Sequence, residues 1–272
     1  MNQSNIKSCI RTSQRGFNLV ELMIAITIGF VIVGAIGYLF IGSRQSFRTT
    51  DAISRIQENA RYALQTMAHD VRIAGNPGCG APLPTTTAPI MGWDNGTAVP
   101  AAEGIPAAGT GSRVGGDVIK ITGGAATDCG YPAGVLTGPP PGFPLNPPPD
   151  TITFYIGQNP SGGRSLYRIV NAGTPVELAD NVWDMQVLYL VNGSNSYVWA
   201  GSGPPNWVQV TSARINLLMV SADNVLSGPQ TYQYFANTAN VRSNMTPAAA
   251  SVDRLRLHQV FTTTVGLRNR LL

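Results

Sequence analysis

Charge is scarce in this chain. Its 272 residues hold 18 Lys and Arg against 14 Asp and Glu, so 12% are charged, about half the ~25% usual for a globular domain. The excess of +4 is too small to draw nucleic acid by itself. Two histidines exclude a His-rich metal site and argue against His-dependent catalysis, and no G-x-S-x-G nucleophile motif is present. No cofactor is expected. With 43% hydrophobic residues and little net charge, the chain is not a disordered polyelectrolyte.

The absences are local as well. Residues 1–16 contain no acid but carry Lys7, Arg11 and Arg15, so most of the net charge sits there. Leu22 to Gly42 contain no formal charge at all, and as helix this run is about 32 Å long, enough to cross a bilayer core. Basic residues on its N-terminal side predict that this end stays cytoplasmic and the rest is exported. No A-x-A cleavage site follows the run, so a signal anchor fits better than an ordinary cleaved signal peptide. Neither reading accounts for Glu21, a carboxylate at the head of the apolar run.

Proline is missing from Phe17 to Ala74, which predicts one continuous helix. In its second half Ile53, Ile56, Ala60, Leu64, Met67 and Val71 recur at helical spacing, the stripe of an amphipathic helix that covers a globular domain. Gly75, ahead of Asn76-Pro77-Gly78, ends it. Fourteen of the 20 prolines then fall within residues 76–150. That composition predicts a long irregular region, with one strand at Asp117–Thr122.

The three cysteines are Cys9, Cys79 and Cys129. Cys9 lies in the cytoplasmic segment, where thiols stay reduced. One pair remains on the exported side, and a Cys79–Cys129 disulfide would tie down the proline-rich region at a gain of about 4 kcal/mol. Two free thiols or a metal pair is the alternative, weakened by the lack of other ligands nearby.

From Asp150 the pattern turns to β. Thr151–Ile156, Ser165–Val170, Trp183–Val191, Val208–Val220 and Thr231–Phe235 are rich in β-branched and aromatic residues and are separated by turn clusters. Arg254, Arg256 and His258 alternate with Leu255 and Leu257, which predicts a last strand with one face in solvent. No helical segment long enough for parallel crossovers intervenes, so the sheet is antiparallel. The expected class is α+β: a long N-terminal helix, transmembrane in its first half, packed on an antiparallel sheet domain.

Gly16-Phe17-Asn18-Leu19-Val20-Glu21 is the motif that carries function. A basic leader ends in Gly, an aromatic residue follows, and a carboxylate lies five positions after the Gly. This resembles the class III signal of type IV prepilins and of type II secretion pseudopilins. Further blocks, Ser43–Arg48, Arg55–Leu64, His69–Gly75 and the C-terminal Arg254-Leu255-Arg256 and Val260–Val265 segments, resemble a PilW-type minor pilin. Within residues 76–150 the chain has no recognisable match, residue 18 is Asn where Thr is usual, and no proline interrupts the span.

The resemblance implies cleavage by a prepilin peptidase after Gly16, N-methylation of Phe17, and a role for Glu21 in filament assembly and axial register. A carboxylate in hydrocarbon needs a partner or a proton. A neighbouring subunit's N-terminal amine at ~4 Å would attract it by about 4 kcal/mol. The implied organisation is a leader at 1–16, a transmembrane and filament-core helix at 17–42, its amphipathic continuation at 43–75, the irregular region at 76–150 and the sheet domain at 151–272. The implied function is a structural minor pilin that primes type IV pilus assembly. It would sit in the inner membrane with its domain in the periplasm, and then in a complex at the pilus tip. Implied partners are the prepilin peptidase, other minor pilins, the major pilin, a tip adhesin, the assembly platform and the lipid bilayer.

Three other readings compete. A J-like minor pseudopilin shares the signal, but such domains commonly carry calcium-binding acids, and the acids after residue 150 are scattered singly. A signal-anchored periplasmic enzyme would need a nucleophile–base set, whereas His69 falls on the long helix as a surface residue and His258 on a sheet face. A DNA-binding pilin would use the tail from Asp253 to Leu272, with four arginines and one acid. Removal of the leader, however, leaves 15 basic and 14 acidic residues and no global field.

Overall fold

The computed structural model describes residues 16–76, 87–95, 98–107, 109–123, 150–201, 206–235, 242–245, 247, 251 and 253–268. The 1–15 part of the leader and all three cysteines lie outside the described residues, and with them the expected Cys79–Cys129 bridge. The chain divides into two compact units between Arg48 and Thr49.

In the first unit the chain enters helix α1, Leu19–Arg72. Asn18 caps it: its Oδ1 accepts from the Val20 N–H at 3.5 Å and its carbonyl from the Leu22 N–H at 3.1 Å. Every residue from Gly16 to Arg48 is exposed within the single chain, including Leu22, Ile28, Phe30, Val31 and Leu39. A helix apolar all round needs lipid or other apolar helices around it. The Thr27 hydroxyl meets that demand internally by donating to the Ile24 carbonyl at 2.9 Å.

Among its described residues the second unit holds the rest of α1 and eleven strands. These are β1 Ile90–Trp93, β2 Arg113–Thr122, β3 Thr151–Gln158, β4 Arg164–Val170, β5 Val176–Asp180, β6 Val182–Val191, β7 Val198–Trp199, β8 Val210–Asn224, β9 Tyr232–Phe235, β10 Arg242–Met245 and β11 Arg256–Gly266. Strands β1 to β5 form a meander in chain order, β11-β8-β6-β7 form a second sheet, and β10-β9 a third; every pairing is antiparallel. Strand β6 lies against β2, β3 and β4, so the two larger sheets share one core.

The expected helical stripe is the face that enters this core. Ile56, Ala60, Met67 and Val71 are buried with Ala63 and Ala68, among Ile119, Ile152 and Phe154 of the first sheet and Val187, Ile215 and Leu217 of the second. Gly75, at φ 76°, takes the left-handed conformation that ends the helix. Its N–H donates to the Thr122 carbonyl at 2.9 Å, fastening the helix end to β2.

Two expectations need correction. Residues 76–150 hold more strand than the one expected at Asp117–Thr122, because β2 starts at Arg113, β1 pairs with β2, and β2 pairs with β3; the first sheet begins well before residue 151. Short, Gly-containing strands give a weak β signal, and surrounding prolines mask it. His258 does not face solvent: it is 4% exposed, because β9 covers that end of β11 and Tyr232 stacks on the imidazole at 4.7 Å.

Candidate functional site

Gly16 and Phe17 precede α1, with Phe17 76% exposed. Glu21 sits in the first helical turn, three residues after the Asn18 cap, where a carboxylate is favoured by the helix dipole. The helix thus opens with an exposed aromatic, a cap and an acid, followed by the uncharged apolar stretch. Gly29, Gly34, Gly37 and Gly42 have nothing within 4 Å of where a Cβ would stand. Packing inside this chain therefore does not demand them.

Within the second unit, Asp70 fixes α1 to the first sheet. It is 4% exposed, and its Oδ2 accepts from Arg168 Nε on β4 at 3.0 Å. The exposed His69 ring lies 3.1 Å from its Oδ1. A second buried acid, Glu103, accepts from Lys120 Nζ at 2.8 Å and from the Thr153 hydroxyl at 3.2 Å. These are structural ties, each with a charged partner and a hydrogen bond.

A denser polar cluster lies where β2 meets β6. The register between β2 and β3 slips between Gly115 and Ile119, a bulge that turns Asp117 toward the second sheet. Asp117 Oδ1 accepts from the Asn95 N–H at 3.1 Å and Oδ2 from the Val187 N–H at 2.8 Å. Burial pushes Asp117 well above the usual carboxylate range, and the neighbouring Asp94 and Asp184 add to the shift.

Asp184 on β6 is pushed up to about 6 by burial, against the opposing pull of Gln186, the Met185 N–H, Arg164 and Tyr234. Arg113 Nη2 donates to the carbonyls of Asp94 at 3.0 Å and Gly116 at 2.6 Å, and burial lowers its pKa. A cavity of about 270 Å³ borders the cluster and is lined by Gly116, Trp183, Asp184, Tyr232 and Tyr234 among others. Of the acids after residue 150, read as scattered singly, Asp184 joins this cluster; Asp94 and Asp117 come from the region before it. Their signal in the sequence was a charge placed inside or beside an otherwise apolar strand, which a buried-strand pattern does not tolerate without a partner.

Among the described residues no group of three or more His, Cys, Asp or Glu side chains is placed to hold a metal ion. His69 faces Asp70 on the helix surface. His258 Nδ1 is 3.0 Å from the Arg256 carbonyl, and burial lowers its pKa. Neither is set beside a nucleophilic side chain in these contacts.

Comparison with known proteins finds similarity toward both ends of the chain. Residues 153–269 match the family described as Type IV Pilus-assembly protein W (PilW). Residues 11–37 match the prokaryotic N-terminal methylation motif, which spans Gly16, Phe17 and Glu21. A curated relative, the pilin-like protein PilA3 of Thermus thermophilus, is 33% identical over 89 residues, 29% of this chain and 38% of that protein. The chain thus spans less than two fifths of that relative's length. A solved type IV-like pilin, also from Thermus thermophilus, aligns over 79% of this chain and 97% of its own at 12% identity and a TM-score of 0.38. The methylation motif and the apolar helix behind it fit membrane anchoring and incorporation into a pilus. The chain therefore carries the methylation motif at its head and, over residues 153–269, a region similar to the PilW family.

Proposed function

We propose that this protein is a structural, non-catalytic minor pilin that primes assembly of a type IV pilus and is then incorporated into it, in a tip complex with other minor pilins. The observation that carries the reading is the head of α1. An exposed Phe17 follows Gly16, Glu21 lies in the first turn, and the apolar residues from Leu19 to Ile41 find no cover within their own chain.

In this reading the prepilin peptidase cuts between Gly16 and Phe17, and the new amine on Phe17 is methylated. Glu21 then pairs with the amine of a neighbouring subunit, which sets the axial register of packed helices. Before assembly the apolar segment holds the subunit in the inner membrane with its sheet domain in the periplasm. Afterwards the same surface is buried against the major pilin and other minor pilins. A Cys79–Cys129 bridge, the assembly platform and a tip adhesin belong to the same proposal.

Gly16→Ala tests it. The variant is expected to keep its leader, remain in the membrane fraction and disappear from sheared pili. Intact-mass measurement showing a chain that still begins at Phe17 would refute the cleavage site. Crosslinking of the native chain should recover other pilins; recovery of secretion components in their place would move the protein to the pseudopilin class.

A further inference from the structure

The turn cluster Asn192-Gly193-Ser194 follows β6 on the way to β7 and has no part in the membrane or assembly chemistry above. Asn192 and Gly193 are both exposed. The Ser194 N–H donates to the Val191 carbonyl at 3.0 Å and closes the turn, and the Asn192 N–H donates to the Gln209 carbonyl at 2.8 Å. Between those fixed points the peptide that links Asn192 to Gly193 is untied. Among the described residues neither the Asn192 carbonyl nor the Gly193 N–H has a backbone partner, and the Asn192 carboxamide makes no hydrogen bond. Gly193 takes a φ of 79°, with nothing within 4 Å of where a Cβ would stand.

Asparagines in three other turns are held. Asn159 Oδ1 accepts from the Gly163 N–H at 2.6 Å, and the next residue is Pro160, which has no N–H. Asn171 Oδ1 accepts from the Thr151 N–H at 2.8 Å while its Nδ2 donates to Asp150 at 2.7 Å. Asn181 Nδ2 donates to Asp180 at 2.9 Å, and the branched Val182 follows it. Asn192 differs on both counts: its carboxamide is untethered, and the residue behind it has no Cβ to crowd an approach to its nitrogen. The chain has one other Asn-Gly pair, Asn95-Gly96, whose glycine lies outside the described residues.

We propose that Asn192 is a site of spontaneous deamidation on the folded protein. The Gly193 backbone nitrogen attacks Cγ of Asn192. The new N–Cγ bond closes a succinimide ring, the Cγ–Nδ2 bond breaks, and the nitrogen's proton passes through water to Nδ2, which leaves as ammonia. One water then opens the ring at either carbonyl and yields aspartate or isoaspartate. Both products add a negative charge to the turn. In the isoaspartyl form the main chain runs through the former side chain and is one methylene longer, so the bond from Ser194 to Val191 loses its geometry. Strand β7 has two residues and pairs with β6 alone among the described strands, so it is the element that loosens.

The test is peptide mapping of the full chain in detergent micelles, aged at neutral and at mildly alkaline pH, with aspartyl and isoaspartyl peptides separated and weighed. The peptide that holds Asn192 should convert at least ~10-fold faster than those that hold Asn171 and Asn181. Its conversion should quicken at the higher pH, where the attacking nitrogen is more often deprotonated, and the isoaspartyl form should be among the products. Asn192→Gln lengthens the side chain past the favoured ring size and should stay unconverted over the same period. Conversion of Asn192 no faster than that of Asn171 and Asn181, or a product that is aspartyl alone, overturns the proposal, and both readouts come from the unsubstituted chain.

Discussion

Gly116 shows how much one absent methyl group decides. Its φ of 69° lies in the left-handed region, and a Cβ there would stand 2.8 Å from Asp184 Oδ1 and 3.1 Å from the Met185 N–H. Gly116→Ala is therefore expected to cost about 2 kcal/mol through backbone strain, with a further cost from displacing β6. Thermal denaturation of the full chain, followed by ellipticity, reads this as a lowered Tm. The same glycine explains a gap in the sequence reading. The strand was expected only from Asp117, because Gly115-Gly116 reads as a break, whereas β2 runs through both as a bulge. Asp94, Asp117 and Asp184 each stand alone in the sequence, and only strand register brings them together. The head of α1 is different: Gly16, Phe17 and Glu21 lie within six residues, so their pattern is visible without any fold.

Among the elements, α1 was the most legible, because its stripe repeats often enough to outweigh its polar interruptions. What the stripe did not reveal is Asp70, which lies on the buried side and depends on an arginine from β4. Arg168→Ala leaves that buried carboxylate with only the exposed His69 ring beside it, and a loss of about 3 kcal/mol is expected. Hydrogen exchange should rise first over residues 60–72, where the helix leaves the sheet. Equal loosening of β8 and β11 would contradict a local tie. The strands missed by the sequence reading were the short ones. Strand β5 reads VELAD and is mostly exposed, and β1 has four residues in a proline-rich neighbourhood. Neither is long enough to show alternation, and both are strands because a neighbour offers them a ladder.

At the scale of the whole molecule, pH enters with a definite sign. Asp184 has a folded value of about 6, above its ordinary value of 3.8. The stability tied to its proton is complete below about pH 4 and is lost as pH rises to about 6, by up to ~3 kcal/mol. Asp117, also raised by burial, adds a loss of the same sign as pH rises. His258, lowered by burial, acts in the opposite direction: its contribution is lost as pH falls below about 6.5. Comparing Asp184→Asn with the unsubstituted chain isolates the first effect, and the difference in Tm should move in favour of the variant between about pH 4 and about pH 6. A constant difference would exclude Asp184 as the titrating group. The core that these groups border also sets an order of events. It joins Ile56 and Met67 near one end of the chain to Val265 and Leu267 near the other, and Thr49 reaches forward to the Val225 carbonyl at 3.3 Å. Contacts so far apart in sequence form late and slowly. The apolar stripe of α1 is therefore made first and covered last. Until β11 has been synthesised and paired with β8, the nascent chain carries a sticky, half-finished helix, and that interval is when it most needs a chaperone or a membrane to hold it.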